Sequence, residues 1–327
     1  MANTFDHSTG LNDSVSEGSI GDYIQLMKPG VMQLVVFTGF VGLICAPGTI
    51  HPIVAAAALI FIAIGAGASG ALNMWYEADI DAVMKRTKSR PIPAGKVPAE
   101  DALTLGVVLS VGAVFSMALL VGYISALLLA FTILFYVGVY TMWLKRRTPQ
   151  NIVIGGAAGA TAPMIGWAAV TGTVSLESFA LFLLIFMWTP PHFWALALYR
   201  AGDYEKVGVP MLPVVAGKTA TRFQILVYTI LLVAVSFLPN VFGFAGLAYL
   251  ITAAITGAMM IWYAIRVWQF GRLVDADEAA GQSTKQSNLR ADHAARKMFH
   301  FSNLYLFALF AILLLERGLG FDLAAWI

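Results

Sequence analysis

The sequence predicts an all-α polytopic membrane protein with nine spanning helices, and three observations carry that prediction. The first is composition: of 327 residues, 59% are hydrophobic and only 12% charged, against roughly 25% charged in a soluble domain. Mean hydropathy is +0.78. The second is run length, because crossing the hydrocarbon core takes about 20 apolar residues. Nine stretches qualify, and they are continuously apolar rather than alternating, which excludes a β-barrel. The third is the placement of positive charge. Together these exclude a soluble enzyme, a nucleic-acid binder and a disordered scaffold.

Taken in order, the spans and the Lys and Arg residues between them form a regular pattern. Lys28 stands alone at the head of the first span, 28–47, and no basic residue separates it from 53–75. Lys85, Arg86, Lys88, Arg90 and Lys96 follow. The pair 103–121 and 124–143 has no base between its members and is followed by Lys145, Arg146 and Arg147. The pair 152–171 and 178–199 leads to Arg200, Lys206, Lys218 and Arg222. The pair 223–239 and 242–263 leads to Arg266, Arg272, Lys285, Arg290, Arg296 and Lys297. Only Arg317 follows the last span, 298–316. Nineteen of the 20 bases therefore fall on one side, which the positive-inside rule makes cytoplasmic. The N-terminus is then inside and the C-terminus outside.

Residues 1–22 hold four acids and no Lys or Arg. This matches neither a signal peptide nor an Arg-rich presequence, so the segment reads as a flexible cytoplasmic tail of a bacterial protein. With no fixed-period repeat and no long linker, 23–327 reads as one transmembrane domain. Cys45 is the only cysteine. That excludes an internal disulfide and any multi-cysteine metal site, and Cys45 itself reads as a buried apolar residue.

Chemistry-bearing residues gather in the basic connections. In NMWYEADID, Asn73, Glu77 and Asp81 recur every four residues, a spacing that stacks three oxygen-bearing side chains about 6 Å apart on one helix stripe. Asp79 faces roughly the opposite way. The adjoining KRTKSRPIPAGK brings Lys85, Arg86 and Arg90, with Pro91 and Pro93 to stiffen the segment. Carboxylates beside bases describe a site for a Mg2+-bound polyphosphate; the plainer reading is a solvated helix end. A second cluster, TPPHFWALALYRAGDYEK, places His192, Tyr199 and Asp203 on one stripe with Lys206 beyond. His192 lies about 16 Å deeper than Asp203 by helix rise. An ionisable group at that depth is a functional candidate, although a carbonyl freed by Pro190 and Pro191 could also satisfy it. A third stretch offers Lys145 and Arg146 to a phosphate, or as helix-end anchors, and Gly155, Gly156 and Gly159 to helix packing.

The Asn73, Glu77, Asp81 spacing followed by RPIPAGK resembles the first motif of the UbiA superfamily of intramembrane prenyltransferases. NMWYEADIDAVMKRTKSRPIPAG, TPPHFWALALYR, DYEKVGVPMLPVVAGKTAT and FHFSNLYL are similar to its haem-farnesylating branch, from about residue 20 to 316. The resemblance implies nine helices around a central cavity, with motifs at the ends of helices 2 and 6 binding Mg2+ and farnesyl diphosphate. It implies farnesyl transfer to a vinyl group of haem b with addition of water, giving haem O for terminal oxidases. A downstream haem A-forming enzyme and the lipid bilayer are the implied partners. Asn73, Glu77, Asp81 and Asp203 are then the Mg2+ set, and together with Tyr199 they form the catalytic group. Lys85, Arg86, Arg90, Lys145, Arg146 and Lys206 face the diphosphate, and His192 contacts haem. The second motif departs from the superfamily's acid-rich pattern, because Tyr199 stands where an acid is usual.

Two other readings compete. Prenyl transfer to an aromatic quinone precursor would share the first motif but calls for a richer acidic second motif. A transporter of an anionic solute calls for repeat symmetry and polar groups in paired halves near mid-membrane, whereas these acids cluster at one mouth.

Overall fold

The computed structural model describes residues 18–321. Among them there is no strand, and every long element is a helix. Eight helices are long and apolar enough to cross a membrane. A ninth span is the pair α1 (Ile20–Leu26) and α2 (Pro29–Cys45), bent by 57° at its break. The second span is α3 (Pro52–Tyr76), prolonged after a break by the short α4 (Ala78–Val83). Then come α5 (Ala99–Leu120) and α6 (Tyr123–Leu134), which continues as a π-helix over Phe135–Leu144. One further span is α7 (Asn151–Ala160) with α8 (Ala162–Thr171), and the next is α9 (Leu176–Glu205). The short α10 (Leu212–Val215) leads into α11 (Gly217–Val235) with α12 (Leu238–Val241). The last two helices are α13 (Leu247–Ala279) and α14 (Lys285–Gly318).

Two boundaries differ from expectation. Helix α1 begins at Ile20, inside the stretch read as a tail, because Ser19 and Asp22 form a reciprocal capping box there. Asp22 also pairs with Lys96 at 3.2 Å. The rest of that stretch, 1–17, lies outside the described residues. Helices α13 and α14 run well past 263 and start well before 298, respectively. The polar connection expected between them is therefore a helical hairpin.

Burial runs against hydropathy in this bundle. The most apolar span, α5, is the least buried, and the span built from α7 and α8 is the least apolar and the most buried. In a bilayer the apolar surface faces lipid, and small or polar residues face neighbouring helices. Helix α9 sits at the centre, packed against α7, α11 and α14. Helix α14 is fixed to α13 at the far end, where Glu316 accepts the Gly246 and Tyr249 backbone N–H groups at 2.7 and 2.9 Å. It thereby caps a helix that has no side-chain cap of its own.

Helices α2 and α8 cross backbone on backbone. A Cβ on Gly166 would stand 2.0 Å from the Gly39 carbonyl oxygen, and one on Gly42 would stand 2.2 Å from that of Pro163. Gly166→Ala should accordingly destabilise the bundle by about 3 kcal/mol, read as a lowered detergent melting temperature. Gly159→Ala, which meets nothing within 4 Å, should leave that temperature unchanged. Equal shifts would refute the close crossing. Gly159 thus faces open space, whereas Gly155 and Gly156 make the close contacts expected of all three glycines, against Tyr140 and Thr189.

Candidate active site

A cavity of about 1700 Å³, open solvent at its mouth included, lies within the bundle. Its enclosed volume is about 420 Å³, within the range of about 300–1,000 Å³ for pockets that hold a drug-sized ligand. Its wall at the mouth carries Asn73, Glu77 and Asp81 from the first motif. Lys28, Arg86, Arg90 and Lys145 complete that wall. Its deeper wall carries Trp188, Thr189 and His192 of α9, with Leu306 of α14. A smaller apolar cavity of about 110 Å³ adjoins it, sharing Lys28, Val31 and Tyr136.

The first motif keeps its stripe although its helix does not continue unbroken. Helix α3 ends at Tyr76, and Glu77 adopts φ −98° and ψ 12° before α4 begins. The Glu77 N–H still reaches the Asn73 carbonyl at 3.0 Å, and the Asp81 N–H reaches that of Glu77 at 2.8 Å. These four-residue bonds carry the register across the break, so the three side chains converge, each only 2% exposed. Every one of them has a basic partner. Lys28 donates its Nζ to Asn73 Oδ1, and Lys145 donates to Glu77. Arg90 Nη1 meets Asp81 Oδ2 at 2.6 Å. Asp79 lies outside, its side chain 64% exposed, held by both Nη atoms of Arg146 at 2.7 and 3.0 Å. Hydrogen bonding from Arg146 holds the Asp79 carboxyl below the usual carboxylate range.

The π-helical turn supplies much of the facing wall. It contributes Tyr136 and Tyr140, with ring centroids 5.4 Å apart. It also places Thr141, whose Oγ1 accepts from Asn73 Nδ2 at 3.0 Å. The wider turn closes where the Lys145 N–H reaches back five residues to the Tyr140 carbonyl at 2.9 Å. Gly155 is required opposite, since a Cβ there would come 2.2 Å from the Tyr140 ring.

Helix α9 runs unbroken through Pro190 and Pro191. His192 is buried and bonded through Nδ1 to Ser302 Oγ at 2.7 Å. Its partner is thus a hydroxyl on α14 rather than a carbonyl freed by the prolines.

Of the residues singled out from sequence, Asn73, Glu77, Asp81, Arg86, Arg90, Lys145 and His192 meet in one cavity. Tyr199, Asp203, Lys85, Arg146 and Lys206 are not on its wall. Tyr199 lies under the Arg296 guanidinium, 4.9 Å from its ring centroid, and Asp203 is 3.6 Å from Arg200. For Tyr199 the reason is the length of α14, whose extension towards Lys285 carries Arg296 over that ring; Lys85 and Lys206 are exposed, and Arg146 turns outward to Asp79. Tyr204 stands on the wall instead. Sequence reasoning also missed Lys28, Tyr136, Tyr140 and Ser302. Lys28 had one signal, as the single base at the head of the first span.

Four basic side chains against two carboxylates make the mouth basic, suited to a polyanion. Among the described residues, no group of three or more His, Cys, Asp or Glu is placed to hold a metal ion. The donors therefore do not fit a metal caged by protein alone. Two carboxylates and an amide oxygen on one wall do fit Mg2+, which takes one or two carboxylates and completes its shell with water and phosphate oxygens.

The sequence model of the UbiA prenyltransferase family matches residues 35–289. The chain belongs to the UbiA prenyltransferase family. Among its relatives, the protoheme IX farnesyltransferase of Parvibaculum lavamentivorans is 59% identical over 303 residues, 93% of this chain and 91% of that one. Protoheme IX farnesyltransferase 2 of Mesorhizobium japonicum is 55% identical over 310 residues, 94% of each. Solved structures share the fold of this UbiA prenyltransferase. One, of digeranylgeranylglyceryl phosphate synthase, has a TM-score of 0.70 at 17% identity over 91% of this chain and 98% of that one. Another, of a UbiA homologue from Archaeoglobus fulgidus bound to GPP and Mg2+, has a TM-score of 0.58 at 15% identity over 89% and 99%.

Proposed function

We propose that this UbiA prenyltransferase joins the farnesyl group of farnesyl diphosphate to a vinyl group of haem b, with addition of water, giving haem O. The observation that carries this reading is the shared name, protoheme IX farnesyltransferase, of relatives 52–59% identical over more than nine-tenths of the chain. A largely apolar cavity with a basic mouth supports it.

In this reading the allylic C–O bond breaks and its electron pair leaves on pyrophosphate. Lys28, Arg86, Arg90 and Lys145 receive that charge where it develops. Asn73, Glu77 and Asp81 would hold Mg2+, which when bound supplies Lewis-acid neutralisation of the leaving group. Tyr136 and Tyr140 offer π-faces to the allylic cation, and the apolar wall keeps bulk water from quenching it. The haem vinyl π-electrons then form the new C–C bond. Water adds to the resulting cation and loses a proton, leaving a hydroxyethylfarnesyl group. His192 faces the haem.

The basic mouth faces the cytoplasm in this reading, in the inner membrane of a bacterium, with the N-terminus inside and the C-terminus outside. The product passes to a haem A-forming enzyme. The test uses purified protein in lipid with haem b, farnesyl diphosphate and Mg2+, followed by mass analysis of extracted haem. A gain of one farnesyl group plus one water is expected. Unchanged haem from a folded preparation would overturn the reading.

A further inference from the structure

His192 is held more tightly than a side chain that merely faces a substrate requires. Its ring is sandwiched between Trp188, with centroids 4.1 Å apart and planes at 21°, and Phe299, at 4.5 Å and 25°. Phe193 stands edge-on at 5.1 Å. Both π-faces are therefore covered by protein, and a substrate can reach the imidazole only along its in-plane edge.

The hydrogen-bond pattern sets what that edge presents. Ser302 Oγ donates to the Phe299 carbonyl at 2.7 Å, which uses its single proton. Toward His192 Nδ1, 2.7 Å away, the same oxygen can only accept. Nδ1 therefore carries the imidazole proton, and Nε2 is left with an in-plane lone pair. Trp188 Nε1 donates to the Ser302 carbonyl at 2.7 Å, fixing the same turn of α14 against the same turn of α9. Nε2 makes no hydrogen bond within the described residues, and His192 lies on the cavity wall. Imidazole presented by one nitrogen, with the other nitrogen fixed by a hydrogen bond, is the usual arrangement of a metal-ligating histidine.

We propose that His192 Nε2 is the axial ligand to the iron of the incoming haem, and that Ser302 is the positioning residue that sets its tautomer and ring plane. This rests on the haem reading above and deepens it. The coordinate bond consumes no electron and no proton, and it fixes the porphyrin plane roughly perpendicular to the imidazole. The porphyrin edge, with its vinyl groups, is then anchored relative to the α9 wall rather than free to rotate in an apolar cavity. His192 is the single histidine on that wall. Met84, Met211 and three tyrosines, Tyr136, Tyr140 and Tyr204, share the wall; they are the competing ligands that an experiment must separate.

The test titrates ferric haem b into the full chain in lipid nanodiscs, without farnesyl diphosphate, and records the Soret and visible bands. The wild type should give the bands of a histidine-ligated haem, distinct from haem dissolved in the same lipid. His192→Gly should lose them, and free imidazole should restore them. Ser302→Ala, which keeps the imidazole but removes its hydrogen-bond partner, should weaken haem binding about tenfold or more with farnesyl diphosphate binding unchanged, and Ser302→Thr should recover it. His192→Gln keeps the side-chain volume and should behave as His192→Gly without imidazole. A wild-type spectrum retained in both His192 variants would overturn the ligation while the mass assay could still return farnesylated haem. A wild-type chain that neither binds nor modifies haem would overturn both proposals.

Discussion

Turnover of the Asp81→Asn chain should fall about a thousandfold, the order lost when one preorganised group at a developing charge is removed, whereas Asp79→Ala should cost less than about fivefold. The two acids are two residues apart in sequence and on opposite sides of the site wall. Asp81 is almost wholly buried on the cavity, with Arg90 at 2.6 Å. Asp79 is mostly exposed and tied to Arg146 outside, where an ion pair contributes little. Asparagine retains an oxygen that can accept from Arg90, so the change removes charge and not shape. The check is the initial rate of farnesylated haem, with melting temperature followed alongside. Matching losses in two folded variants would defeat the assignment of Asp81 to the cavity and Asp79 to its outside.

The same two residues show what a sequence makes legible. A four-residue spacing is a statement about local geometry, and local hydrogen bonds preserved it even where the helix axis breaks at Glu77. His192 was legible because an ionisable group deep in an apolar run is costly to hold there unless it serves a function. Tyr199 and Asp203 satisfied the same stripe rule as His192, yet the rule says nothing about what packs on the stripe. Over Tyr199 it is Arg296, on the extension of α14 towards Lys285, a polar helix that hydropathy ends at 298. Adjacent Lys145 and Arg146 were grouped as one cluster, but they lie in the turn just past the π-helix and diverge. One turns inward to Glu77 and the other outward to Asp79. The π-turn that brings Tyr136 and Tyr140 to the wall has no signature in composition. It is backed by Gly155, where any side chain would meet the Tyr140 ring.

Lys28 is the residue whose importance only the folded chain reveals, and Lys28→Met should lower kcat for farnesyl transfer about a hundredfold. It occupies the break between α1 and α2 with φ 54° and ψ 60°, the single non-glycine with positive φ among the described residues. A lysine held there costs of order 1–3 kcal/mol in backbone strain, which a glycine would relieve. The conformation turns the amine onto Asn73 Oδ1, and Asn73 in turn donates to Thr141. The break in the first span, the first motif and the π-turn are thereby joined through one half-buried amine at the cavity mouth. Two substitutions separate the strain from the charge. Lys28→Gly removes both, while Lys28→Met keeps the side-chain length and removes only the charge. If the amine serves the departing pyrophosphate, both variants should lose kcat to a similar extent, and Lys28→Gly should melt higher than Lys28→Met. Retained kcat in the Lys28→Gly chain would mean that the position serves only to bend the first span, and the diphosphate site would then rest on Arg86, Arg90 and Lys145.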